Sequence, residues 1–128
     1  MTTRQKNVII LMLGLLVGGY SYAGIAELTP QQVYKEAKSG MVVILDVNPE
    51  GFYKKHHVPE SKNVNFYNLA EALPKDKSKR LIFYCMSEMC SASHQTAQIA
   101  VKNGYKDVAR MPSGISGWLK ADLPVGKL

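Results

Sequence analysis

The stretch from Leu81 to Gly104 constrains this chain most. Leu81, Ile82, Phe83 and Tyr84 form a short apolar and aromatic run, the pattern of a buried strand. Cys85 stands at its end. Met86 to Cys90 make a short loop, and Ser91 opens a helical pattern. Ala92, Ala97, Ile99, Ala100 and Val101 give that helix an apolar face, and Gly104 stops it. A thiol at the C-terminal end of a strand therefore faces a helix N-terminus across a tight loop. Open α/β sheets bind ligands at this edge. Backbone N–H groups and the helix dipole favour an anion there. The expectation is a Cys85 with a lowered pKa, acting as a nucleophile. The competing reading is a small, inert core residue.

The rest of the chain alternates helical and strand patterns. Thr29-Pro30-Gln31-Gln32 is a helix start, with Thr29 as N-cap, proline at the first helical position and Gln32 at the capping-box position. Gly40 ends that helix. Met41 to Leu45 is continuously apolar and closes in Asp46, as a central parallel strand does. One or two helical turns are expected between Pro49 and His57, and a short strand at Val64 and Phe66. A short helix is expected around Leu69 to Leu73, stopped by Pro74. Lys75 to Arg80 reads as a solvated loop. Val108 to Met111 reads as a last strand, and Ile115 to Ala121 as a helix carrying Trp118 as a core residue. Such alternation implies one α/β domain with a mostly parallel sheet.

The first 23 residues read as a targeting segment. Arg4 and Lys6 precede an apolar run from Val8 to Val17, and Ser21 and Ala23 place small residues at a cleavage site. The run is short for a membrane span, which needs about 20 residues. A signal peptide cut after Ala23 is expected, leaving residues 24–128 as the working domain. That domain would be periplasmic or secreted, where disulfides persist. An uncleaved anchor facing the periplasm is the alternative. The formal charge of +6 is spread over scattered lysines. That argues for a solvated surface and against a nucleic-acid groove.

Several stretches together resemble one family. Ile44-Leu45-Asp46-Val47, then Phe52, then His57-Val58-Pro59-Glu60-Ser61-Lys62-Asn63-Val64 is similar to the two opening signatures of rhodaneses. Tyr84-Cys85 resembles the strand-end cysteine of the rhodanese active site. Gly104-Tyr105-Lys106-Asp107-Val108 resembles the segment after the active-site helix. Gly114-Ile115-Ser116-Gly117-Trp118 and Ala121-Asp122-Leu123-Pro124-Val125 resemble the closing segments. The resemblance implies a rhodanese-like α/β domain, with a five-stranded parallel sheet and helices on both faces. It also implies sulfur transfer: Cys85 takes a sulfane sulfur as a persulfide and hands it to a nucleophilic acceptor. The implied substrate-binding loop is Met86, Ser87, Glu88, Met89, Cys90 and Ser91. Asp46, at the end of its own strand, reads as a carboxylate that orients the neighbouring loops by hydrogen bonding and not as an acid or base. The six residues from Cys85 to Cys90 match sulfurtransferase loops, whereas phosphatase-like relatives use one residue more. His57 is implied to be structural.

The loop departs from the family's Cys-Arg-x-Gly-x-Arg. It has no arginine, and Glu88 stands where the glycine would. Asn48 replaces the arginine of the Asp-Val-Arg signature. A carboxylate there would repel a dianion, so thiosulfate is expected to be a poor donor. A less anionic small molecule or a protein persulfide takes its place as the expected sulfur source. Cys90 is either a resolving thiol or a small residue at a helix start. Met86, Met89, Cys90 and His94 are soft ligands, but loop packing accounts for them more simply. No metal or other cofactor is expected, and the protein is expected to be a monomer. Two functions remain open: a sulfurtransferase using Cys85, or a thiol–disulfide or metal-binding protein using Cys85 and Cys90 with a thiol-redox partner.

Overall fold

The structure is a computed structural model and describes residues 24–128; the expected leader lies outside the described residues. Five parallel strands form one sheet. They are β1 (Ala26–Glu27), β2 (Val42–Asp46), β3 (Lys62–Asn63), β4 (Arg80–Tyr84) and β5 (Asp107–Met111), in the order β1-β5-β4-β2-β3. The helices are α1 (Pro30–Ala37), α2 (Glu50–Lys55), α3 (Leu69–Ala72), α4 (Ala92–Lys102) and α5 (Gly114–Lys120). Among the described residues no helix is long and apolar enough to cross a membrane.

Both faces of the sheet are covered, which is why Val43, Ile44 and Leu45 of β2 and Leu81, Ile82, Phe83 and Tyr84 of β4 form unbroken apolar runs. Leu45, Leu81, Phe83, Cys85 and Val108 pack against Leu69 of α3 and Ala97 and Ala100 of α4. Ile44, Ile82, Tyr84, Ala109 and Met111 pack against Val33 of α1 and Ile115 and Trp118 of α5. Trp118 is fully buried, as expected, and its indole N–H donates to the Pro124 carbonyl. Thr29 caps α1 by accepting from the Gln32 N–H, and Gln32 returns the bond to the Thr29 N–H.

Three local readings need correction. The strand expected at Val64 and Phe66 lies earlier, at Lys62–Asn63. The Asn65 side chain accepts from the Tyr67 and Asn68 N–H groups, which turns the chain and leaves Phe66 half exposed. Arg80 is not loop but the first residue of β4. It donates to Glu36 and Asp107 at 2.5 and 2.6 Å, tying α1, β4 and β5 at the N-terminal edge of the sheet. Val101, placed on the apolar face of α4, is 42% exposed; Ser93 and Thr96 fill the buried face instead. The edge strand β1 carries no apolar signal and was not expected.

Candidate active site

The site is built where β4 ends. Residues alternate in facing along β4, so Cys85 points to the same side as Phe83, toward α4. Its side chain is 2% exposed. The loop that follows is held from below by α5. The Cys85 carbonyl accepts from the Ile115 N–H, and the Met86 carbonyl from the Ser116 N–H, both at 2.9 Å. These carbonyls point to the α5 side of the sheet. In a trans peptide the N–H points opposite to its carbonyl, and no cis peptide is present among the described residues. The N–H groups of Met86 and Ser87 are therefore turned toward the α4 side, where the Cys85 sulfur lies. They form the start of an anion cradle, and the Cys90 carbonyl oxygen lies 3.5 Å from the Cys85 sulfur on its other side.

Gly114 makes this contact possible. Its φ is +61°, and a Cβ there would stand 2.5 Å from the Cys85 carbonyl oxygen. Only glycine allows both the left-handed backbone and the close approach. Gly114 and the N–H groups of Ile115 and Ser116 escaped the sequence reading as site components. The only signal was the glycine at the helix start.

The loop then reverses. The Cys90 N–H donates to the Ser87 carbonyl at 3.0 Å, closing a turn with Glu88 and Met89 at its corners. Both corner residues are exposed, Met89 to 94%. Glu88 thus stands at the tip of the turn and not inside the cradle. The turn folds Cys90 back over Cys85, and the two are joined as a disulfide with Cα atoms 6.5 Å apart. That separation lies inside the range a disulfide spans. Cys90 is half-buried and covers the Cys85 sulfur. Ser91 accepts from the Gln95 side chain at the start of α4.

Met86 packs on the opposite face of the sheet, with the Trp118 cluster, so it does not join Met89, Cys90 and His94 around one point. Among the described residues, no three His, Cys, Asp or Glu side chains converge. Arg110 on β5 aligns with Phe83 and reaches Ser93 of α4 at 3.4 Å, with Glu27 at 3.6 Å. It places positive charge beside the first turn of α4, where sequence offered no signal for it.

Asp46 lies at the same edge of the sheet as Cys85 but on the other face, aligned with Tyr84. Its Oδ1 accepts from the Asn48 N–H at 2.7 Å, which shapes the turn after β2. Oδ2 is buried and receives no hydrogen bond of good geometry. Burial raises the Asp46 pKa, and the nearby Tyr84 hydroxyl and Asn48 oppose that rise. Tyr84 is driven far above its ordinary value by burial and by the Asp46 charge. The Tyr84 hydroxyl accepts from the Val58 N–H and lies 3.1 Å from the Ser61 Oγ, bracing the Val58–Ser61 turn. His57 is structural. It stacks on Tyr53, bonds the Tyr53 carbonyl through Nδ1, and pairs by main chain with Gly126.

Comparison with known proteins agrees with this architecture. The chain is similar to the HTH-type transcriptional regulator Rv0324 of Mycobacterium tuberculosis, 28% identical over 99 residues. That match covers 77% of this chain but only 43% of the regulator. The chain is also similar to the thiosulfate sulfurtransferase GlpE of Coxiella burnetii, 27% identical over 72% of this chain and 85% of the relative. Among solved structures it resembles the polysulfide-sulfur transferase homodimer of Wolinella succinogenes. There the TM-score is 0.67 at 21% identity, over 83% of this chain and 81% of that one. The model of the rhodanese-like domain matches residues 29–121, so the chain belongs to the rhodanese-like family.

Proposed function

We propose that this chain is an exported sulfurtransferase in which Cys85 takes a sulfane sulfur as a persulfide and passes it to a nucleophilic acceptor. One observation carries the reading. The carbonyls of Cys85 and Met86 are held by α5, so the N–H groups of Met86 and Ser87 are turned to the side of the sulfur. Donors arranged in advance around a developing anion stabilise it without reorganisation. The attacking thiolate, the donor's leaving group and the resulting persulfide are all anions, and the cradle serves each. The names of the GlpE relatives point to thiosulfate. In this loop no arginine clamps a dianion, which favours a less anionic small molecule or a protein persulfide as donor. Export rests on the basic and apolar leader, and N-terminal sequencing from the native host should find Gly24 first. A start at Thr2 with tight membrane association would establish the anchor instead.

The test is intact mass. The reduced protein with Cys90 replaced by serine, which leaves Cys85 as its one thiol, should gain sulfur from inorganic polysulfide, located on Cys85 by peptide mapping, and should lose it to an added acceptor. Cys85→Ser should fold and transfer none. A Cys85→Ser variant that keeps a substantial share of transfer would overturn the assignment. A second reading, a thiol–disulfide protein on this scaffold, is favoured by the Cys85–Cys90 bond. It predicts disulfide exchange with no uptake of sulfur.

A further inference from the structure

We propose that Cys90 is the resolving thiol of this site, so that the bound sulfur leaves as hydrosulfide and a dithiol resets the enzyme. The proposal rests on the persulfide reading above. Four observations carry it. The turn closed by the Cys90 N–H on the Ser87 carbonyl folds Cys90 back onto Cys85. The other end of the loop is pinned by α5, so both sulfurs are held by an ordered main chain. The two sulfurs are bonded, with a Cα separation a disulfide accepts. Among the described residues, no third His, Cys, Asp or Glu side chain converges with the pair, so its chemistry is that of two thiols.

The steps balance without an outside oxidant. The Cys90 thiol attacks the Cys85 Sγ of the Cys85 persulfide anion and gives up its proton. The Sγ–Sγ bond forms, the bond to the sulfane sulfur breaks, and that sulfur takes up the Cys90 proton and leaves as hydrosulfide. The two cysteines are oxidised by two electrons, and the sulfane sulfur is reduced by two. An attacking thiol held beside its target competes as if it were highly concentrated. Cys90 therefore outruns a dilute external acceptor.

The reset has a direction. Cys85 is 2% exposed, whereas Cys90 is half-buried beside the exposed Met89. An incoming dithiol reaches the Cys90 sulfur, and Cys85 departs as a thiolate into the N–H cradle. A stabilised thiolate is the better leaving group. The mixed disulfide then sits on Cys90. The reductant's second thiol closes on its own first sulfur and frees Cys90. The overall reaction turns a sulfane donor and a dithiol into the donor stripped of one sulfur, hydrosulfide and a disulfide. The partner class is a dithiol, small or carried by a protein.

The test uses reduced, full-length protein under anaerobic, thiol-free conditions with inorganic polysulfide. Wild type should lose two hydrogens in mass and yield linked peptides containing Cys85 and Cys90. Cys90→Ser should hold sulfur on Cys85 at least tenfold longer than wild type; Cys90→Ala serves if the serine variant does not fold. Equal persulfide lifetimes in wild type and variant would overturn the resolving role. If neither protein ever takes up sulfur, the persulfide reading itself fails, and the proposal with it. Separately, oxidised wild type treated with glutathione should carry the mixed disulfide on Cys90. Glutathione found on Cys85 would overturn the direction of the reset.

Discussion

Gly114 lies against the carbonyl of Cys85, so close that a Cβ on it would stand 2.5 Å from that oxygen and 2.6 Å from the Met86 carbonyl carbon. Both neighbours are main chain and cannot swing aside. The contact lets the first N–H groups of α5 fix the carbonyls at the start of the loop, and with them the N–H groups that face the sulfur.

Gly114→Ala should therefore damage activity more than stability. The left-handed backbone costs about 1–2 kcal/mol for a residue with a Cβ. The clash must in addition displace the loop by a fraction of an ångström or more. A displacement of about 1 Å can cost on the order of 100-fold in rate. Sulfur-transfer kcat/KM and thermal melting on the same preparation check this. A loss of activity no larger than the lost stability explains would remove α5 from the site.

Glu88 should influence anionic donors only weakly. Its place at the exposed tip of the turn puts its charge in water, where attraction and repulsion at a few ångströms are small and salt screens them. Glu88→Gly should raise kcat/KM for thiosulfate by roughly threefold at low salt, fading as salt is added. The tenfold or larger effect that a carboxylate inside the cradle would produce is not expected. A large, salt-independent gain would mean that the side chain turns inward.

Asp46 should make the fold less stable as pH rises. Burial raises its folded pKa above the ordinary 3.8. Between that value and the raised one, the folded state binds more protons than the unfolded state, so stability falls as pH increases through this window. Asp46→Asn keeps an oxygen for the Asn48 N–H and removes the buried charge. Its melting temperature relative to wild type should be higher at neutral pH and should lose that advantage as pH falls toward 3.8. A constant difference across this range would refute the account.

Arg80 should matter for stability alone. It bridges Glu36 and Asp107 at the sheet edge opposite the cysteine. Arg80→Ala should cost about 1 kcal/mol, as partly exposed ion pairs do at the upper end. For a domain of this size that is a melting shift of several degrees. Transfer activity measured well below the melting point should not change; a change in kcat would show that the two edges of the sheet are coupled.

What the sequence determined by itself is local. The apolar run ending in Cys85, the capping box at Thr29 and the stop at Gly104 each reside in a few neighbouring residues, and the structure follows them. The alternation of strands and helices led to a parallel α/β sheet because parallel strands need crossovers. Tertiary structure decided the rest, because it depends on contacts between distant residues or on side-chain direction. Ile115 and Ser116 reach the Cys85 loop across about thirty residues, and Arg80 meets Glu36 across 44. Asp46 and Cys85 share an edge, but the period of two along paired strands puts them on opposite faces. Even the Cys85–Cys90 pair, only five residues apart, is a product of the fold. Spacing puts two thiols in one loop; only the turn at Ser87–Cys90, with its start pinned by α5, points one sulfur at the other.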